Sequence, residues 1–107
     1  MAEESVLVFC TFPDADTARQ IARTLVEEKL AACVNLLPQM ESIYRWKGAI
    51  EDASEVLALI KSTTWKYDLL EARIRKLHPY EVPEIISVRI HAGNTDYLRW
   101  IEQSVIE

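Results

Sequence analysis

Glycine is nearly absent from this chain, with two residues in 107. A phosphate cradle needs several, and neither GxxxxGK[ST] nor GxGxxG occurs, so nucleotide binding through such a loop is not expected. Cysteine is equally sparse. Cys10 and Cys33 lie in apolar, strand-like runs without CxxC spacing, which leaves no disulfide framework and no zinc module and predicts two thiols. Positive charge is in deficit, with twelve Lys and Arg against seventeen Asp and Glu and a formal charge of −5. Phosphate backbones are bound by clustered cations, so no nucleic acid is expected as partner. Half the residues are hydrophobic, yet no apolar run approaches the ~20 residues that span a bilayer, and no membrane segment is expected. The acidic start "MAEES" lacks the basic region and small-residue cleavage site of a secretory signal, which predicts a cytoplasmic protein. Residues 1–107 read as one domain, with surface enough for one modest core.

What is present is a clear change of period along the chain. Ser5 to Phe12 is β-branched and aromatic, ends at Pro13, and is too short for a helix, so it reads as a buried strand. In the next segment Ala18, Ile21, Ala22, Leu25 and Val26 fall on one helical face, with Asp14 or Asp16 as N-cap. "AACVNLLP" and "ESIYRWKG" are extended, and Pro38 between them demands an edge or a bulge because it cannot donate to a ladder. Gly48 marks a turn and "SEVLALIKST" returns as a strand, giving a long hairpin that reverses near Lys47 and Gly48. "TTWKYDLLEARIRKL" is a helix capped by Thr63 or Thr64, with Tyr67, Leu70, Ile74 and Leu77 aligned. "EIISVRIH" is a strand, "AGN" a turn, and "TDYLRWIEQSVIE" a terminal helix with Leu98, Ile101 and Val105 inward. The order β-α-β-β-α-β plus a C-terminal helix predicts an α+β fold of ferredoxin-like type, an antiparallel four-stranded sheet with both main helices on one face.

Residues 31–46, if extended, reach on the order of 50 Å, whereas a fifteen-residue helix covers only ~22 Å. Much of the β2-β3 hairpin must therefore project beyond its own helices. It carries Ile43, Tyr44, Trp46 and Ile50, an apolar ribbon that native proteins cover. The expected cover is another copy of the chain, as against a hairpin curled over its own sheet.

No nucleophile and base pair up in the sequence, so no enzymatic activity is expected. Glu27, Glu28, Glu51, Asp52 and Glu55 fall at turns and helix ends, where solvated charge is the ordinary explanation. The densest stretch is "RKLHPYEVPE", Arg75 to Glu84. A metal site, a catalytic loop and a stiff connector all suit its composition. His78 with Arg73, Arg75 and Lys76 suits a helix C-terminus, Pro79 stops that helix, and Pro83 sets the path into the last strand. The Tyr80 ring is expected to pack on the hairpin or on a neighbouring chain, and the loop to border a cleft between subunits with Glu81 or Glu84 available for a polar contact across it.

"CTFPD", "EKLAACVN", "SIYRWKG", "EVLALIKST", "HPYEVPEII" and "DYLRW" together resemble, in order and across nearly the whole chain, the CutA family of divalent-cation tolerance proteins. The resemblance implies a homotrimer of ferredoxin-like subunits whose extended hairpins pair with adjacent subunits, similar in architecture to the PII signal proteins, and a role linked to copper and other divalent metal ions. It implies metal ligation by the first-strand cysteine, Cys10, and by the histidine before Pro-Tyr, His78; a second, paired histidine of some relatives is Leu77 here. Thiolate and imidazole suit a copper ion better than magnesium or calcium. The alternative within the same fold is a PII-like signalling or adaptor trimer that takes a protein partner or small ligand, with metal binding incidental.

Overall fold

The computed structural model describes residues 4–106. Its elements are β1 (Ser5–Phe12), α1 (Ala15–Glu27), β2 (Cys33–Trp46), β3 (Ala49–Thr63), α2 (Thr64–Leu77), β4 (Ile85–Arg89) and α3 (Thr95–Ser104). The four strands form one sheet in the order β2-β3-β1-β4, with every neighbouring pair antiparallel. This is an α+β fold with both long helices packed on one face. Alternation in β1 and β3 sends Val6, Val8, Cys10 and Phe12, with Val56, Ala58 and Ile60, to the helix side. Ala18, Ile21 and Leu25 from α1 and Leu70 and Ile74 from α2 meet them there. α3, whose buried residue is Ile101, packs against β1 and β3, and Val105 just after it is buried as well; both lie outside that cluster.

Local chemistry sets the element ends. Asp14 caps α1 by accepting from the Thr17 N–H at 2.7 Å, and Asn94 caps α3 through the N–H groups of Asp96 and Tyr97. Thr63 stands at the N-cap of α2 but its side chain makes no capping bond. The helical stripes are narrower than their periodicity suggests. Val26 and Leu77 are exposed, since each lies at the margin of its apolar face where the sheet no longer reaches. β4 is also shorter than the apolar run "EIISVRIH": its ladder with β1 runs from Ile85↔Cys10 to Arg89↔Val6, with one further backbone bond from the Ile90 N–H to the Ser5 carbonyl.

The hairpin is the distinctive element. β1 pairs with β3 only from Ser5↔Thr63 to Phe12↔Val56, so Ala49–Glu55 and their β2 partners continue as a two-stranded ribbon past the rest of the sheet. The molecule measures 46 × 25 × 22 Å. Pro38 sits, as its missing N–H requires, at an irregularity in the edge strand β2, where the register shifts between Leu37 and Met40 and Gln39 takes φ 62°. Trp46 pairs with Ala49, and the two residues between them, Lys47 (φ 51°) and Gly48 (φ 84°), both adopt the left-handed conformation of a type I′ turn. Space is open around the Gly48 Cα, so it is the backbone angle and not crowding that favours glycine there.

Candidate functional site

Alternation along β1 separates two roles at adjacent positions. The Cys10 side chain enters the helix-side core and is fully buried, while Thr11 presents its carbonyl to the connector that follows α2. Burial pushes the Cys10 thiol up to about 12, assisted by the negative charges of Glu84 and then Glu55. At neutral pH it is a protonated thiol, and among the described residues its polar contact is a weak one at 3.9 Å to the Thr11 carbonyl.

His78 occupies the C-cap of α2, where its N–H bonds the Ile74 carbonyl at 2.7 Å. Its position at the helix end is as the sequence suggested, and its ring reaches β1. It turns inward, stacks on Phe12 at 4.8 Å, and is buried. Nε2 lies 2.7 Å from the Thr11 carbonyl, and Nδ1 accepts the Tyr80 N–H at 3.1 Å. A carbonyl only accepts, so the network assigns the proton to Nε2 and leaves a neutral imidazole. Burial holds its pKa below the ordinary histidine value, against opposing contributions from the Thr11 bond and the Glu55 charge.

Cys10 and His78 thus converge on one carbonyl, that of Thr11, and both are absorbed by packing. A copper ion needs a thiolate and a free imidazole lone pair. Here the sulfur is protonated and enclosed, and Nδ1 is already an acceptor, so in this arrangement the pair does not fit a resident copper ion. Among the described residues no group of three or more His, Cys, Asp and Glu is placed to hold a metal.

Within the single chain the connector borders a space beside its own hairpin. Tyr80 tilts over His78 at 4.8 Å and donates its hydroxyl to Glu55 Oε2 at 2.7 Å, so its ring packs on the hairpin of its own chain. Burial first, and the Glu55 contact second, raise the Tyr80 hydroxyl above the ordinary tyrosine range. Between the connector and the ribbon lies a space of about 870 Å³ walled by Tyr44, Trp46, Glu55, Tyr80, Glu81 and Glu84 among others. Glu55 is the residue that sequence reasoning placed in solvent; it is only 8% exposed. The available signal was its position inside the apolar strand "SEVLALIKST" rather than in the turn before it. Glu28, by contrast, is a surface carboxylate held by Arg73 through two bonds of 2.8 and 2.9 Å. No helix among the described residues is long and apolar enough to cross a membrane.

Residues 6–104 match the family described as CutA1 divalent ion tolerance protein. The divalent-cation tolerance protein CutA of Thermus thermophilus is 48% identical over 102 residues, covering 95% of this chain and 97% of that protein. Protein CutA of Mus musculus is 50% identical over 95 residues, 89% of this chain but 54% of the mouse protein. The crystal structure of CutA from Xylella fastidiosa superposes with a TM-score of 0.94 at 42% identity, covering 96% of this chain and 99% of that one.

Proposed function

We propose that this chain, which belongs to the CutA1 family of divalent ion tolerance proteins, serves divalent-cation tolerance as a non-enzymatic, ferredoxin-like subunit of a cytoplasmic homotrimer that binds copper or related ions. The observation that carries the reading is the match along nearly all of this chain and of the Thermus thermophilus protein, whose name states the role. The strand order β2-β3-β1-β4 supports the ferredoxin-like part. The trimer draws support from the ribbon, where Ile43 is 69% exposed and Ile50 63% exposed, more apolar surface than an isolated ribbon keeps in water. Copper at Cys10 and His78 requires the His78–Tyr80 bond to open and the thiol to ionise, so we place the metal on the assembled trimer rather than on these two side chains as packed within one chain.

The test is titration of the reduced protein with Cu(I) and Zn(II), with the mass followed by light scattering. Saturable sub-micromolar binding at a fixed ratio to a trimer is expected. A monomer at micromolar concentration, or only weak unsaturable binding, overturns the corresponding half of the reading.

A second reading, a PII-like adaptor trimer that takes a protein or small ligand, is favoured by one specific feature. The large space beside Tyr80 is lined by unlike chemistries, aromatic rings and carboxylates, as recognition sites are.

A further inference from the structure

The outer side of α2 departs from the pattern of α1. Along α1 the outward positions Asp16, Arg19, Gln20, Arg23 and Glu27 are polar, as a helix beside water requires. α2 carries apolar residues on two sides. Leu70 and Ile74 are buried in the core under the sheet, and across the helix from them Trp65 is 83% exposed and Leu69 57% exposed. Trp65, Leu69, Ala72 and Lys76, all exposed, recur at i, i+4, i+7 and i+11, and so form one row about 17 Å long. A single surface leucine needs no explanation. A tryptophan this exposed, one turn from a leucine and followed by a residue as small as alanine, offers the knobs and the gap into which the side chains of a second helix fit.

The charge around the row is of one sign. α2 holds Lys66, Arg73, Arg75 and Lys76 against Asp68 and Glu71, in a chain whose formal charge is −5. Arg73 is paired with Glu28 and Arg75 with Glu71, whereas Lys76, at the end of the row, has no ion pair among the described residues. The row is also distinct from the surface that other copies of the chain are read to cover. It faces away from the sheet, while the hairpin ribbon is an extension of that sheet.

We propose that the outward row of α2 docks an acidic amphipathic helix of another protein, whose apolar stripe packs on Trp65 and Leu69 and closes on Ala72 while its carboxylates meet Lys76 and Arg75. Helices are recognised through anchors at this spacing. A second copy of the chain fits poorly, because it would set one cationic helix against another. An anionic lipid surface or a nucleic acid calls for clustered cations, which a helix with two acids of its own, in a chain of net negative charge, does not supply. The proposal rests on neither the metal reading nor the space beside Tyr80, so failure of the copper titration leaves it standing.

The experiment uses the full chain in its native assembly and two dye-labelled helical peptides of about fifteen residues. Both carry the same leucine stripe; one has glutamate on its flanks and the other lysine. Fluorescence anisotropy should show saturable binding of the glutamate peptide, at least roughly ten-fold tighter than of the lysine peptide. Trp65→Ser and Leu69→Ser should each weaken it at least roughly five-fold with circular dichroism and assembly mass unchanged, since both side chains lie outside the core. The second variant keeps the test valid if the first does not fold. Lys76→Glu should narrow the difference between the peptides, as should salt at about 0.5 M. Equal affinity for the two peptides, no saturation, or unchanged binding in the folded serine variants overturns the proposal. So does a fall in assembly mass in Trp65→Ser, which would assign the row to another copy of the chain. Sedimentation with phosphatidylserine–phosphatidylcholine vesicles that is lost in the serine variants overturns it as well, and would assign the row to a lipid surface.

Discussion

The Tyr80 hydroxyl and the Glu55 carboxylate meet at 2.7 Å across 25 residues of chain, and with them the connector after α2 is fastened to the hairpin. The same Tyr80 gives its N–H to His78, whose other nitrogen bonds Thr11, so β1, the end of α2, the connector and β3 form one polar chain. Removing one member should be felt by the others. Tyr80→Phe leaves the buried Glu55 without its donor and should cost about 1.5–3 kcal/mol, the range for bonds to charged groups. Urea unfolding of Tyr80→Phe, Glu55→Gln and the double variant checks this, with the double variant costing less than the sum.

The pH dependence follows from His78. Its folded pKa lies below the unfolded value of about 6.5. The neutral ring is the form the fold favours, so this contribution is complete above about pH 6.5 and is lost as pH falls through the folded pKa. Denaturation midpoints measured from pH 7.5 down to 5 should decline. The decline should be shallower in His78→Gln, which can still donate and accept but does not titrate.

The thiols should separate cleanly. Cys10 is fully buried with its pKa raised to about 12, whereas Cys33 is only half-buried. Maleimide labelling at pH 8 followed by mass spectrometry should modify Cys33 in the native protein and Cys10 only after unfolding. Because the raised pKa disfavours thiolate in the fold, the Cys10 contribution to stability is present below about pH 9 and is lost as pH rises beyond it. Early labelling of Cys10 would show that the strand opens readily.

Two leucines of α2 should differ sharply. Leu70 is fully buried between sheet and helix, and Leu70→Ala should cost about 2–5 kcal/mol by transfer and cavity terms together. Leu77, 36% exposed at the last turn, should cost less than about 1 kcal/mol on the same change. Chemical denaturation with an unchanged m-value checks both.

The ribbon gives an assembly prediction. Ile43→Asp places a charge on the exposed apolar row without disturbing the chain's own core. The variant should keep its circular dichroism spectrum while its mass by light scattering falls below that of the unmodified protein. Retention of the full mass would mean that this row is not what copies bury.

Much of the fold was legible because its signals are local. The short β-branched and aromatic run from Ser5 to Phe12 reports a buried strand, period 3.6 from Ala18 to Leu25 reports which side of the helix is apolar, and Pro38, Lys47 and Gly48 report where the backbone must bend. The mismatch between hairpin length and helix length likewise needs only rise per residue. The site was legible only as an inventory. The sequence named Cys10, His78 and Tyr80, and its own resemblance assigned the first two to metal. What it could not determine is the partner of each polar atom, because His78 finds Thr11 67 residues away. Tertiary packing brings the carbonyl of β1, the end of α2 and Glu55 of the hairpin into one place, and a buried donor or acceptor takes whatever partner lies within reach, since leaving it empty costs about as much as a lost hydrogen bond. That physics makes His78 a clasp in the packed chain and brings the carboxylate of Glu55, unremarkable in sequence, to the Tyr80 hydroxyl.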